Sequence, residues 1–221
     1  MDDFIFLSAS VPDPKKAPAY AKSSNSVAIA SAVRALVHVT LGRRVLVWGG
    51  HPAITPMIKV VAEEMGIEYS KWVKLYQSLY FQDEFPEDNE AFHNVVYTDN
   101  IKNEMGESLL FMRKRMFTEN NFKAAVFIGG MGGIKDEFNL FQKYQPGKNI
   151  IPIASTGGAT LDIAIELNLD PTAIPGNDLY NDFDYIRLLH RRLDISVKEE
   201  RYKTPNLQPN NIQDRFWRPK Q

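Results

Sequence analysis

Asp136 and Glu137 are the residues of this chain best placed to do chemistry, because of what precedes them. The apolar run Ala124–Ile128 has strand character. It leads into Gly129-Gly130-Met131-Gly132-Gly133, and the two acids stand one turn into the helix-patterned segment that follows. Strand, glycine-rich turn and helix start together form an anion-binding device. Glycine lets the backbone approach a ligand, and the first helical N–H groups point at it. A carboxylate pair at that place suits a sugar hydroxyl or a glycosidic bond better than a phosphate. The combination therefore points to a nucleotide site that holds its ligand or cleaves it. Plainer readings exist: the glycines permit positive φ and close packing, and the acids complement the helix dipole. The run matches neither the dinucleotide fingerprint nor the P-loop.

Other residues have related potential. Gly49-Gly50-His51 repeats the strand-to-turn pattern, and Pro52 suits a helix's first turn, so His51 is a candidate contact to phosphate or base. Met112-Arg113-Lys114-Arg115-Met116 sets three cations between two core-type methionines, and Arg113 is the one placed to grip a phosphate or carboxylate bidentately. Ser155, Thr156 and Gly157 form a second anion cradle or a capped helix start. Ser8 and Ser10 follow the first apolar run. Ser78, with Tyr76 and Gln77, follows another, where ligand contact and core packing are both open.

The elements that position these residues alternate short apolar runs with longer amphipathic ones. Strands are expected at Phe4–Ser8, Val45–Trp48, Trp72–Tyr76, Asn94–Tyr97, Phe122–Ile128 and Asn149–Ile153. A helix is expected over Ser26–Leu41, capped by Ser26, with Val27, Ile29, Ala30, Val33, Leu36 and Val37 on its apolar side. Others run from the Gly49–Pro52 turn to about Met65, over Glu104–Thr118 with Leu109, Met112 and Met116 in phase, and over Asp178–Val197 with Tyr180, Phe183, Ile186 and Leu189 as a stripe. Such alternation predicts an α/β fold: a Rossmann-like three-layer sandwich whose central, mostly parallel sheet carries helices on both faces. Ligands of such sheets bind beyond the carboxyl ends of the strands, so all these turns should share one rim. Residues 1–197 read as this domain. Residues 198–221 read as a polar, Pro/Asn/Gln-rich tail ending Phe216-Trp217-Arg218-Pro219, either a docking arm or a disordered end, with disorder favoured.

Composition narrows the class. A chain of 221 residues, 44% hydrophobic, can bury one substantial core. A net charge of −1 and a pI near 6.4 give no electrostatic case for nucleic acid. Without cysteine, thiolate catalysis and disulfides are excluded. The start Met1-Asp2-Asp3-Phe4 turns polar too soon for a signal peptide, and no apolar run approaches the roughly 20 residues of a membrane span. A cytoplasmic protein is expected. The four histidines show no ligand spacing, so no metal and no cofactor are expected.

These motifs resemble a known family. Gly129–Gly133 with Asp136 and Glu137 resembles the PGGxGTxxE motif of the Lonely guy phosphoribohydrolases, and Met112–Met116 resembles their arginine-bearing helix. Gly49-Gly50-His51 occupies the place of their first glycine motif. The resemblance runs from about Phe4 to Leu167 and implies the SLOG superfamily of Rossmann-like nucleotide-binding domains, which also includes DprA-type domains. The strings FLSAS, GGHP, YQS, MRKRM, IGGMGG and STGGAT look closer to SLOG domains of bacterial conflict systems, such as that of the Thoeris effector. What this implies is a nucleotide or ADP-ribose-like ligand, a homodimer, and a sensing or sequestering role in nucleotide signalling or antiphage defence. The other implied activity is an N-glycosidase, phosphoribohydrolase or nucleoside (deoxy)ribosyltransferase, with Arg113 and Asp136 or Glu137 catalytic. Departures from the hydrolase motif count against cleavage. Ile128 replaces the proline, Gly133 the threonine, and the motif glutamate falls on Asp136, with Glu137 one place late.

Overall fold

The computed structural model describes residues 4–65, 68, 71–173 and 176–217. The opening Met1-Asp2-Asp3 and the closing Arg218-Pro219 lie outside them. In chain order the described elements are β1 (Phe4–Ser10), α1 (Pro18–Ser23), α2 (Ser26–Thr40), β2 (Val45–Trp48), α3 (Thr55–Glu64), β3 (Val73–Ser78) and β4 (Val95–Thr98). They continue with α4 (Met105–Glu119), β5 (Phe122–Gly129), α5 (Gly132–Tyr144), β6 (Asn149–Ile153), α6 (Ala159–Glu166), α7 (Gly176–Asn181) and α8 (Tyr185–Arg192).

All six strands pair in parallel, in the order β4-β3-β2-β1-β5-β6. The fold is the expected α/β Rossmann-like sandwich. Side chains alternate across it, because successive residues of a strand point to opposite faces. Ile5 and Leu7 of β1 join Leu46, Val126 and the buried sides of α2, α3 and α8 in one core. Phe6, between them, joins Val47, Phe127 and side chains of α4, α5 and α6 in the other. There its ring meets Phe117 edge-on at 4.9 Å and stacks with Phe141 at 5.8 Å. Strand order reverses at β1: β2, β3 and β4 extend the sheet on one side of it, and the chain then crosses to add β5 and β6 on the other. A crevice opens at the carboxyl ends of strands at such a switch point.

Several local details differ from expectation. Asn25, not Ser26, caps α2, its side chain accepting from the Ala28 N–H at 3.0 Å. Either residue type serves as a cap, so composition does not choose between them. Val27 then falls on the outer face and is 74% exposed. A short helix that the sequence reading does not name, α1, precedes α2, with Pro18 at its start. Pro52 lies in a turn. Pro56 instead occupies the first turn of α3. Asp178–Val197 is not one helix: Asp184 accepts from the Arg187 N–H and starts α8 afresh, leaving Phe183 and Ile186 exposed while Leu189 is buried.

The largest difference is the tail. Instead of extending into solvent, residues 198–217 clasp the loop between α2 and β2, at the amino-terminal edge of the sheet. Glu199 is buried and receives two hydrogen bonds from Arg44, at 2.6 and 3.1 Å, with Arg215 3.8 Å away. The Tyr202 N–H donates to the Gly42 carbonyl, and the Trp72 indole N–H donates to the Tyr202 carbonyl. Arg201 donates to the Leu41 carbonyl. Burial, with Arg43 beside it, brings its pKa down to about 10. Polar composition misled here because the tail's anchors are themselves charged residues that find buried partners.

Candidate functional site

The crevice at the switch point is a cavity of about 300 Å³. Its floor comes from the carboxyl ends of β1, β2 and β3. The turn before α5, with that helix's first turns, makes one wall and α4 another. The alternation that sends Phe6 into the α4–α5 core sends Ser8 and Ser10 to the same side further along β1, toward α5. Ser10 lines the cavity. Ser8 does not line it; its hydroxyl, fully buried, donates to Glu137 Oε2 at 2.6 Å.

Glu137 is the centre of the polar wall. Its other carboxylate oxygen, Oε1, accepts from Arg113 Nε at 3.2 Å. Arg113 also reaches the Gly133 carbonyl at 3.3 Å and Asp136 at 3.5 Å. Leu109, Met112 and Arg113 stand at i, i+3 and i+4 on α4, one helical face, and all three line the cavity. Gly133, Ile134 and Glu137, at i, i+1 and i+4 on α5, also line it. Asp136, one residue out of that phase, is 67% exposed and is not part of the lining. The residue that motif spacing aligns with the hydrolase glutamate thus points outward, and its neighbour occupies the cavity. A helix turns about 100° per residue, enough to separate the two roles.

The four glycines divide into two pairs. Gly129 and Gly130 adopt positive φ (62° and 84°) and are pinned to the segment after β6. The Gly129 N–H donates to Thr156 Oγ1 at 2.9 Å, Thr160 Oγ1 donates to the Gly129 carbonyl at 2.8 Å, and the Ala159 N–H donates to the Gly130 carbonyl at 2.9 Å. These two serve packing. Gly132 has open space where a side chain would stand, Gly133 faces the Arg113 guanidinium, and Met131 lines the cavity. The Ser155–Gly157 cradle lies outside the cavity lining. Thr156 is tied to Ile153 and Gly129, the Ser155 hydroxyl meets the Tyr185 hydroxyl at 3.2 Å, and Gly157 packs on the Ser23 backbone.

At the end of β2, Gly49, Gly50 and His51 all line the cavity. His51 Nδ1 accepts from the Ala53 N–H at 3.2 Å, which puts the proton of the neutral ring on Nε2. Burial lowers its pKa, and the same cause, first in order, lowers those of His38 and His190. The sign follows from linkage. Below about pH 6.5 the unfolded chain takes up protons that the folded chain resists, so stability is lost as pH falls. Urea denaturation at pH 7.5 and 5.5 should show lower stability at 5.5, with the difference reduced in His51→Gln. An equal difference in that variant would exclude His51 as a contributor.

Sequence reasoning missed the outer wall. Ser78 lines the cavity and its hydroxyl oxygen accepts from the Tyr80 N–H, starting a 3-10 turn over Leu79–Glu84. Phe81, Phe85 and Pro86 then add apolar surface to the lining. The signal was present as the aromatic-rich run Leu79–Pro86 directly after a rim strand. Gln77 also lines the cavity, whereas Tyr76 turns to the other face, where its hydroxyl donates to Glu119 and accepts from Asn120. Burial pushes the Tyr76 phenol up. Among the described residues no cluster has the make-up of a metal site, and no helix is long and apolar enough to cross a membrane.

No curated protein matches the chain. The model of the SLOG cluster3 family matches residues 19–193, which take in Arg113, Glu137 and every rim turn except that of β1. On that match over most of its length, with a parallel sheet and a rim cavity to accompany it, the chain belongs to the SLOG cluster3 family.

Proposed function

We propose that the rim cavity binds a nucleotide, or the nucleotide portion of an ADP-ribose-derived molecule, and holds it without turnover. The observation that carries this reading is the state of Glu137. Both carboxylate oxygens are already engaged, one by Arg113 and one by Ser8. A carboxylate fixed in this way is a rigid acceptor for ribose hydroxyls, and its remaining lone pairs suffice for that. It is poorly disposed to act as a free nucleophile. A cavity of about 300 Å³ is at the small end for ligand sites and suits one nucleoside-sized unit. Phe81 and Phe85 offer apolar surface for a base, and Arg113 offers charge for a phosphate.

Bound and released intact, such a ligand makes the chain a sensor or sequestering module in nucleotide signalling. Antiphage defence, in the cytoplasm and as a homodimer, is the setting that the sequence resemblance favours. The test incubates the protein with AMP, dAMP, NAD and cyclic ADP-ribose, following melting temperature and free base in parallel. A raised melting temperature with the nucleotide recovered unchanged is the expected result. No shift and no base for any of them would sink the proposal. Arg113→Ala should weaken binding of nucleotides far more than of nucleosides, with the melting temperature of the free protein little changed. Equal losses for both would remove the phosphate role.

One observation favours a second reading, N-glycosidic cleavage: Glu137 faces the cavity beside Arg113, where an acid could stabilise a developing ribosyl cation. Base release that disappears in Glu137→Gln would establish it in place of the first.

A further inference from the structure

Gln77 is 7% exposed, and its backbone carbonyl accepts from the Thr98 hydroxyl. Its side-chain amide, by contrast, makes no hydrogen bond to any described residue. The amide's nitrogen and oxygen are not sealed in the interior: the residue lines the rim cavity, and they open onto it. It is held there by close packing on Gly50: a methyl group at that position would collide with the amide nitrogen.

Resting on the reading of the cavity as a nucleotide site, we infer that Gln77 is its specificity-determining residue. Both ends of the amide hydrogen-bond the edge of the ligand's base. Adjacent residues of one turn separate the two halves of the site. A side-chain carbon on Gly49 would stand 3.7 Å from Glu137 Oε1, whereas one on Gly50 would strike Gln77. The sugar and phosphate thus fall to Glu137 and Arg113, and the base to Gln77. A carboxamide presents one donor and one acceptor side by side, the pattern that reads a base edge bidentately. His51 adds a ring N–H nearby, and Phe81 and Phe85 supply apolar surface for the ring faces.

The experiment measures binding of AMP, GMP, CMP, UMP and ribose 5-phosphate by calorimetry to the wild-type chain, Gln77→Met and Gln77→Glu. Methionine keeps nearly the same volume against Gly50, so the fold is retained, and a melting temperature near wild type verifies it. The wild type should rank the four bases. Gln77→Met should weaken the best of them about 10- to 100-fold and flatten the ranking, leaving ribose 5-phosphate within about twofold. Gln77→Glu replaces the donor by a second acceptor, so preference should move toward guanine, whose edge offers two adjacent donors. A wild type without base preference, or variants that keep its affinities and ranking, would overturn the inference while leaving the nucleotide site standing. A wild type that binds neither nucleotide nor ribose 5-phosphate would overturn both.

Discussion

Glu199→Ala should lower the stability of the fold by about 3–5 kcal/mol, because it removes one side of a buried ion pair and leaves the other. The pair is Arg44 with Glu199, both side chains 1% exposed. Around that single carboxylate stand Arg215, Arg43, whose Nε donates to the Glu199 carbonyl, and Arg201, which lies close enough to Arg43 to be affected by its charge. Alanine would leave the buried Arg44 guanidinium without this carboxylate. Urea denaturation is the measurement. A loss below about 1 kcal/mol would mean that water or another group reaches Arg44 in the variant. The double replacement Arg44→Met with Glu199→Leu should recover much of the loss, since apolar side chains of similar size often replace buried ion pairs at little cost.

The second large effect falls on binding. Glu137→Gln keeps the shape of the side chain and removes its charge. Ribose hydroxyls that donate to an ionised acceptor then donate to a neutral amide oxygen. Hydrogen bonds to charged groups contribute about 1.5–3 kcal/mol, so nucleotide affinity should fall roughly 10- to 100-fold. Asp136→Asn, carried out beside it, should change affinity less than twofold, because Asp136 points to solvent and meets only the end of Arg113. Calorimetric titration of both variants with one nucleotide decides the matter. A larger loss from Asp136→Asn than from Glu137→Gln would mean that the bound state turns α5 and brings the other acid inward.

That pair of residues also shows where the sequence stops being informative. Apolar runs locate β1, β2, β5 and β6 closely, since a buried parallel strand reads as a continuous apolar segment. The rim follows from the alternation of strands and helices. Which of two adjacent acids enters the cavity depends on the angular phase of α5, and that phase is set by where the helix begins. Met131 is the residue before its first turn, and glycines on both sides of it leave the start unmarked in sequence. The Thr156–Gly129 hydrogen bond joins residues 27 apart, and no local pattern tells it from a phosphate cradle. Gln77 was visible as a polar residue at a strand end, where ligand contact and core packing were both open. Its place in the cavity lining, against Gly50, is a property of the folded chain. The tail was misjudged for a related reason: low hydrophobicity signals disorder only when its charges have nowhere to pair, and Glu199 has Arg44.

Both of the interactions on which these predictions rest join residues made far apart in time. Ser8 meets Glu137 across 129 positions, and Arg44 meets Glu199 across 155. At about 5–20 residues per second, a ribosome would complete the partner of Arg44 roughly 10–30 s after Arg44 itself. Throughout that interval the nascent chain carries an arginine destined for the interior without the carboxylate of Glu199. The ligand cavity is finished first and its fastening last, so chains cut short before Glu199 should form a cavity-bearing sheet that opens readily and attracts chaperones and proteases.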